Sequence, residues 1–439
     1  YEIREKVDDD DFLSRYYDQD EKYSNSPEYI QFLKTWGGTW QQFGSPNAQS
    51  DWNSLLNYIQ TNDMSIQANF DYVDSLFNWK SLVDYFCLNS YTVCMDWLNW
   101  NTAWWRGLNP DGDKKKWRYT LWDMDATFGH YINYTGIPDQ SANADPCNPE
   151  SLPDPGGQGH TEILVKLMDN PTFEQFYISR YIDLGNTVYS CDYMINHLDS
   201  LIALIEPEMP GQVAKWGGSM ATWNNNVQNL KDFINARCVA LNTGLVDCYN
   251  LLGPYDITFE VAPPLSGNIK VNSIWLDTYP FTGNYFGGID INVNSSPNAA
   301  YVFDYWESSL SETFNPAVDS SFANFQASGA QTITGHFRLE GSPPTPTYDG
   351  INIPSAFSPN NDNNNDLLDI FAGVDVAKFN LSIYDRWGQL MFNTQSTSIL
   401  WDGSFNNQPV NSGVYVYKAN VIYNDGENEV KKGTVTLVR

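Results

Sequence analysis

The chain has 439 residues, with 24 Lys and Arg against 53 Asp and Glu and a net charge of -29. That length exceeds one ordinary domain and predicts about two to four. The acid excess excludes nucleic acid as a partner, because binding a polyphosphate rests on Lys and Arg neutralising it. The longest apolar runs, such as LIALI at 201 to 205, fall far short of the roughly 18 residues that cross a bilayer, so no transmembrane segment is predicted. No signal-peptide pattern is present, and export would need a signal ahead of Tyr1.

In chain order, the chain opens on YEIREKVDDDDFL at 1 to 13, with its run of four aspartates. SLLNYIQ at 54 to 60 and FDYVDSLFNWKSLVDYFCLNSYTV at 70 to 93 place apolar residues at helical spacing. These stripes read as core rather than as binding surface.

The next stretch, VCMDWLNWNTAWWRGLNPDGDKKKWRYTLWDMDATFG at 93 to 129, is the one segment that reads as an active site. Asp96 and Asn101 stand five apart, the spacing of the proton-accepting Asp and the metal-holding Asn of a kinase catalytic loop. Asp123 and Asp125 follow, just before Phe128 and Gly129. NPDGDKKKWRYTLW between them predicts a turn at Asp111 and Gly112 and then a strand. Such a hairpin would bring the two acidic ends together. Five tryptophans, Trp97, Trp100, Trp104, Trp105 and Trp122, surround the pattern; they read as core, with a carbohydrate-binding face as the alternative if several are exposed.

This pattern closely resembles the CotH family of atypical kinases, whose Asp-x-x-x-x-Asn loop leads through a hairpin to Trp-Asp-x-Asp-x-x-Phe-Gly; WDMDATFG at 122 to 129 agrees at every fixed position. The resemblance implies Asp96 as catalytic base, Asn101 as a metal ligand, Asp123 as the main metal carboxylate and Asp125 as a second candidate, with Mg2+ and ATP as cofactors. It also implies a strand and an acidic turn over 1 to 13, ahead of the helical lobe, and a phosphate-gripping lobe. No Gly-rich phosphate loop or Walker lysine is present, Lys6 and Lys34 are phosphate contacts only in a loose sense, and the expectation is an N-terminally truncated domain whose nucleotide-binding residues are unassigned.

GIPDQSANADPCNPESLPDPGGQGH at 136 to 160 is a long Pro- and Gly-rich loop, read as a surface excursion with a substrate-facing role as the alternative. ILVKLMDNPTFEQFYISRYIDLG predicts two helices broken at Asn170 and Pro171, and CDYMINHLDSLIALIEPEM at 191 to 209 predicts a further core helix. Cysteines at 87, 94, 147, 191, 238 and 248 carry no zinc spacing. Some are expected to be bonded, with Cys238 to Cys248 as the expected local loop.

From 253 to 340 the texture turns to strands: YDITFEVAPP, GNIKVNSIWL, GGIDINVNSSP, AAYVFDYWES and TITGHFRLE alternate apolar and polar positions, as half-buried antiparallel strands do. The stretch resembles the internalin-type β modules of bacterial surface proteins and carries no catalytic pattern; His336 reads as a surface residue of its last strand. GSPPTPTYDG at 341 to 350 is a stiff linker. Beyond it, AFSPNNDNNND, IYDRWGQLMF, WDG, GVYVYK and GTVTLVR closely resemble the type B sorting domain of gliding motility-associated proteins exported by the type IX secretion system of Bacteroidetes. That implies the type IX machinery as a partner and a secreted or outer-membrane cell-surface location, which in turn favours disulfides. Asp362, Asn364 and Asp366 offer oxygens for weak Ca2+ binding, with an Asx-rich turn as the simpler reading.

The expected fold is α+β and multidomain: a mainly helical CotH kinase-like domain over 1–252, a small all-β module over 253–340, a Pro-rich linker over 341–350, and an Ig-like β-sandwich over 351–439. The expected function is a secreted Mg-ATP-dependent Ser/Thr protein phosphotransferase. The alternative is a non-catalytic adhesin or glycan-binding protein on a degenerate kinase scaffold. A glycosidase using Asp96 and Asp123 as its carboxylate pair ranks below both.

Overall fold

The structure, a computed structural model, describes residues 7, 12–13, 29–110, 114–153, 158–342, 350–360, 365–373, 376–396, 399–406, 408–423 and 426–439. It is an α+β protein of two compact units, Tyr1–Pro254 and Tyr255–Arg439.

The first unit is organised on a four-stranded antiparallel sheet in the order β2-β1-β3-β4, with β1 at Ile30–Thr35, β2 at Thr39–Gly44, β3 at Thr102–Gly107 and β4 at Arg118–Thr120. All six residues of β1 are buried, so both faces of the sheet are covered. Alternation along β3 sends its paired tryptophans to opposite faces. Trp105 joins Leu13, Ile30 and Phe32, while Trp104 meets Trp52 of helix α1, Ala48–Thr61, in a tilted contact at 5.4 Å. Trp52 also meets Trp117 and Phe77 edge-on. The hairpin expected between the two acidic motifs is present: Ala103 faces Thr120 and Trp105 faces Arg118. Its proposed turn residues, Asp111 and Gly112, lie outside the described residues, as does most of the expected strand at 1–13.

The pattern at 70–93 forms two helices, α2 at Gln67–Leu76 and α3 at Trp79–Tyr91, because Phe77 leaves the helix to bridge Trp117. The break at Asn170 and Pro171 is present between α4, His160–Met168, and α5, Pro171–Asn186. Asn170 Oδ1 accepts from the N–H groups of Thr172 and Phe173, and Pro171 occupies the first turn, where its missing donor is not needed. Helix α6, Cys191–Ile205, buries none of its residues, so its apolar stripe is not core as expected. It leads through α7, Met209–Trp216, into the 30-residue α8, Met220–Tyr249, whose first buried residue is Ile234. From Cys191 to Phe233 the chain forms a helical arm with no buried residue.

Two disulfides join Cys147 to Cys248 and Cys191 to Cys238. The local Cys238–Cys248 loop is excluded by α8 itself: ten residues of helix separate the two by about 15 Å, and a disulfide needs Cα atoms within about 7 Å. Cys87 and Cys94 are buried free thiols.

Arg237 of α8 is fully buried and faces carbonyl oxygens. Its guanidinium donates to Tyr91 at 2.9 Å and Ser90 at 3.0 Å, and to Ala142 and Ala144. Tyr91 ends α3, so the cation sits on the negative end of that helix. With Cys147–Cys248 and a 2.7 Å bond from Ser90 Oγ to the Pro146 carbonyl, it fastens the long loop after the active-site segment, which is not the loose surface excursion expected.

In the second unit, β5 (Leu252–Ala262), β6 (Gly267–Val271), β7 (Ile274–Trp275), β8 (Phe281–Gly287), β9 (Ile291–Pro297), β10 (Tyr301–Ser308), β11 (Phe322–Phe325) and β12 (Gln331–Leu339) form two four-stranded sheets, β10-β12-β5-β8 and β11-β9-β6-β7. The pairing is not wholly antiparallel as expected: β12 runs parallel to β5, a partner more than 70 residues earlier that a tight hairpin cannot reach. His336 lies on β12, hydrogen-bonded to Glu307 at 2.7 Å and stacked on Tyr305. In the tail, Ala356–Phe357, Asn428–Leu437, Gly413–Tyr423, Val376–Tyr384 and Leu390–Thr394 make a five-stranded sheet in that order over a core centred on Trp401, Phe357 and Leu381. Of the residues expected to offer oxygens to calcium, Asp362 and Asn364 lie outside the described residues. Asp366 accepts the N–H of Asn360, six residues earlier, at 2.8 Å.

Candidate active site

Two loops at the end of α3 and after β4 carry the acidic residues. The chain leaves α3 at Thr92, and backbone bonds lace its next residues to the second motif: Phe128 N–H donates to Thr92 O at 2.8 Å and Met95 N–H to Ala126 O at 2.9 Å. Thr135 adds a third tie, its N–H donating to Met95 O and its hydroxyl bonding both the N–H and the carbonyl of Trp97. The two segments are thus one unit, although nearly 30 residues separate them.

Within it Asp96 and Asn101 meet directly, Asn101 Nδ2 donating to Asp96 Oδ2 at 3.0 Å. Asn101 is 4 % exposed, and its Oδ1 has no hydrogen-bond partner among the described residues. Asp96 is half-buried, and burial raises its pKa; the negative charges of Asp123 and then Asp125 raise it further, while the Asn101 bond works the other way. The three carboxylates therefore share one electrostatic neighbourhood. Cys94 feels the same charges, and burial pushes its thiol up to about 12, so it is a neutral wall residue rather than a nucleophile.

The backbone here is strained. Val93, Leu98, Asp123, Phe128 and Tyr131 all have positive φ, +52° to +63° for Val93 and Leu98 and +54° for Asp123. β-branched and bulky side chains rarely adopt that region, and the cost is borne where surrounding contacts over-determine the conformation. Phe128 and Gly129 supply such contacts by packing on Phe233 of α8; a Cβ on Gly129 would stand 3.0 Å from that ring.

Lys34 of β1 is buried, with Nζ 3.3 Å from the centre of the Trp122 ring, which brings a strand lysine beside the residue preceding Asp123. Of the five tryptophans, Trp97, Trp104 and Trp105 are core, and Trp100 and Trp122 are half-buried. The exposed aromatic face uses residues that the sequence reading passed over. Trp36, 62 % exposed at the β1–β2 turn, meets Trp100 at 5.9 Å; Trp100 meets Tyr134 at 5.9 Å, and Tyr134 meets Tyr131 at 6.0 Å. The turn is pinned to the Asp96 loop by Gly37 N–H donating to Asn99 O at 2.7 Å. The signal was available in TWGGTW at 35–40, where a Gly pair flanked by β-formers marks a hairpin.

A family profile described as CotH kinase protein matches residues 1–241, more than half of the chain and the whole of this site. The chain belongs to the CotH kinase protein family. A second profile, the CHU_C Type IX secretion signal domain, matches residues 351–437. No curated protein sequence matches the chain. A CotH domain joined to a type IX signal is the make-up of a secreted, surface-associated CotH-like protein that engages the type IX machinery. No described helix is long and apolar enough to cross a membrane.

The CotH fold raises the question of a divalent cation. Among the described residues, no three His, Cys, Asp or Glu side chains converge on one metal position. An all-carboxylate cage is therefore not what this site offers. The donors present are hard oxygens, and the buried Asn101 Oδ1 with carboxylates nearby suits a cation that keeps water and substrate oxygens in its shell, as Mg2+ does.

Proposed function

We propose that the CotH domain is an exported phosphotransferase that moves the terminal phosphoryl group of ATP to a protein Ser or Thr hydroxyl. The observation that carries the reading is the Asn101 amide, which holds Asp96 with its nitrogen while its buried oxygen remains for a cation. Asp96 accepts the hydroxyl proton; its raised pKa brings it closer to a working general base. Asn101, Asp123 and Asp125 would hold Mg2+, which when bound neutralises and aligns phosphate oxygens. Lys34, held against Trp122, contributes positive charge on the nucleotide side. We also read the tail as an Ig-like sandwich built on its five-stranded sheet. The test is phosphotransfer by the exported protein with Mg2+ or Mn2+, comparing wild type with Asp96→Asn and Asp123→Ala. Both variants are expected to lose at least about 100-fold in rate; equal rates from all three proteins sink the proposal.

One observation favours a second reading, a non-catalytic adhesin: the exposed aromatic row from Trp36 to Tyr131 beside the Asp96 loop. Aromatic faces of this kind stack on sugar rings. Retention on immobilised glycans that is abolished by Trp36→Ala, with no phosphotransfer by the wild type, would establish it.

A further inference from the structure

The type IX signal domain keeps one large side chain that its own fold does not use. Of the residues in its sequence motifs, Phe357, Ile383, Trp401 and Tyr415 lie in the core. Asp385 builds the turn that follows Val376–Tyr384: its Oδ1 accepts the N–H groups of Trp387 and Gln389, both at 2.8 Å, and Gly388 supplies the left-handed position. Trp387 sits in that turn, 81 % exposed, with the Arg386 guanidinium 5.2 Å from its ring. The turn needs no indole, and an exposed one lowers solubility. Trp and Arg are the side chains that most often anchor protein interfaces.

Trp387 adjoins an open sheet face. Along Gly413–Tyr423, Tyr415, Ala419 and Val421 are buried while Val414, Val416, Lys418 and Ile422 are exposed, so the second set points away from the core. Val416 faces Tyr384, and Tyr384 faces Leu390, which carries the apolar strip to the strand after the Trp387 turn. Next along the same face, Lys418 stands opposite Lys432 of Asn428–Leu437, and Lys378 stands opposite Ile422. No Asp or Glu occupies an outward position on these three strands. Like charges directly opposite one another destabilise a sheet, so Lys418 and Lys432 are not there for stability. Lysines that guard a sheet against aggregation belong on its edges, whereas these three strands are internal. A basic face with an apolar end, on a chain of net charge -29, fits an acidic partner.

We propose that this face is where a protein of the type IX machinery docks during export, with Trp387, flanked by Arg386, as the apolar anchor and Lys378, Lys418 and Lys432 meeting carboxylates of the partner. A secretion signal is read by the machinery that exports it, which favours a protein surface over a lipid headgroup layer. The inference concerns the signal domain alone and is independent of whether the CotH domain transfers phosphate.

The test is export of the full chain, carried by a cleavable signal peptide, in a bacterium that has a type IX system. Surface and periplasmic amounts are measured by fractionation, and a melting temperature is taken on each purified protein. Trp387→Ser is expected to cut the surface amount roughly tenfold, with the protein held in the periplasm and its melting temperature unchanged. Lys418→Gln with Lys432→Gln removes a repelling pair, so the melting temperature should hold or rise while export falls about threefold. A purely structural role would move both in the same direction. Trp216→Ser, at an exposed tryptophan of the helical arm, should leave export unchanged. Equal surface amounts from wild type and both signal-domain variants overturn the proposal, as does a loss that tracks a lower melting temperature or an equal loss from Trp216→Ser. Saturable binding of the wild type to phosphatidylglycerol vesicles, abolished by the double lysine variant, would give the face to lipid and also overturn it.

Discussion

The loop block from Thr92 to Thr135 and the helical arm from Cys191 to Phe233 belong to one domain and are built in opposite ways. The block bends through left-handed positions at non-glycine residues, buries polar atoms and is laced by bonds between residues far apart in sequence. The arm is mostly helix, its main-chain hydrogen bonds are local, and none of its residues is buried. Local hydrogen bonding is enough to specify a helix, whereas a loop held in costly conformations exists only while its surroundings hold it. The candidate site lies in the part of the domain that depends most on everything else.

That contrast can be tested through its supports. The largest effect on stability should come from pH. Burial against Trp104 and Tyr119 holds the His160 pKa at about 3, well below its ordinary value of 6.5. An unfolded chain takes up a proton that the folded chain refuses, so the contribution is complete above about pH 6.5 and drains away as the pH falls towards about 3, on the order of 5 kcal/mol in all. Acid should loosen the β3–β4 hairpin that joins the two motifs before it affects the arm, read by hydrogen exchange, and His160→Gln should flatten the dependence in that window.

Arg237→Met comes next, with an expected loss of about 3–5 kcal/mol, because it strips donors from buried carbonyls at the end of α3 and in the 142–144 loop. Thermal unfolding measures it, and phosphotransfer should fall together with stability. Replacing Cys191 and Cys238 by Ser removes a crosslink spanning 47 residues. Loop-closure entropy puts that at about 4 kcal/mol at most, and engineered systems usually deliver less. It should free the arm while leaving the rate constant below the unfolding transition unchanged. Leu204→Ser, on an arm residue 75 % exposed, should change stability by less than about 0.5 kcal/mol. A larger loss there would mean that the arm is covered by something in solution.

The same contrast explains what was readable in the residues. WDMDATFG and the Asp96–Asn101 spacing were legible because they stand at the fixed positions of the family pattern, and the Asn170–Pro171 break because capping is local. Helix α6 was misread as core because periodicity shows that an apolar stripe exists, not whether anything packs on it. Helix α8 went unrecognised because its first half, MATWNNNVQNLKDF, carries too few apolar residues for a clear stripe. The disulfide pairing failed for the related reason that both cysteines of the expected loop belong to that helix.

Asp123 adopts a backbone conformation that glycine would accept at no steric cost. Substitution by glycine there would relax the main chain and delete the carboxylate in one step. Stability and side-chain chemistry are thus separable at this one position, and Asp123→Gly measures the first without the second.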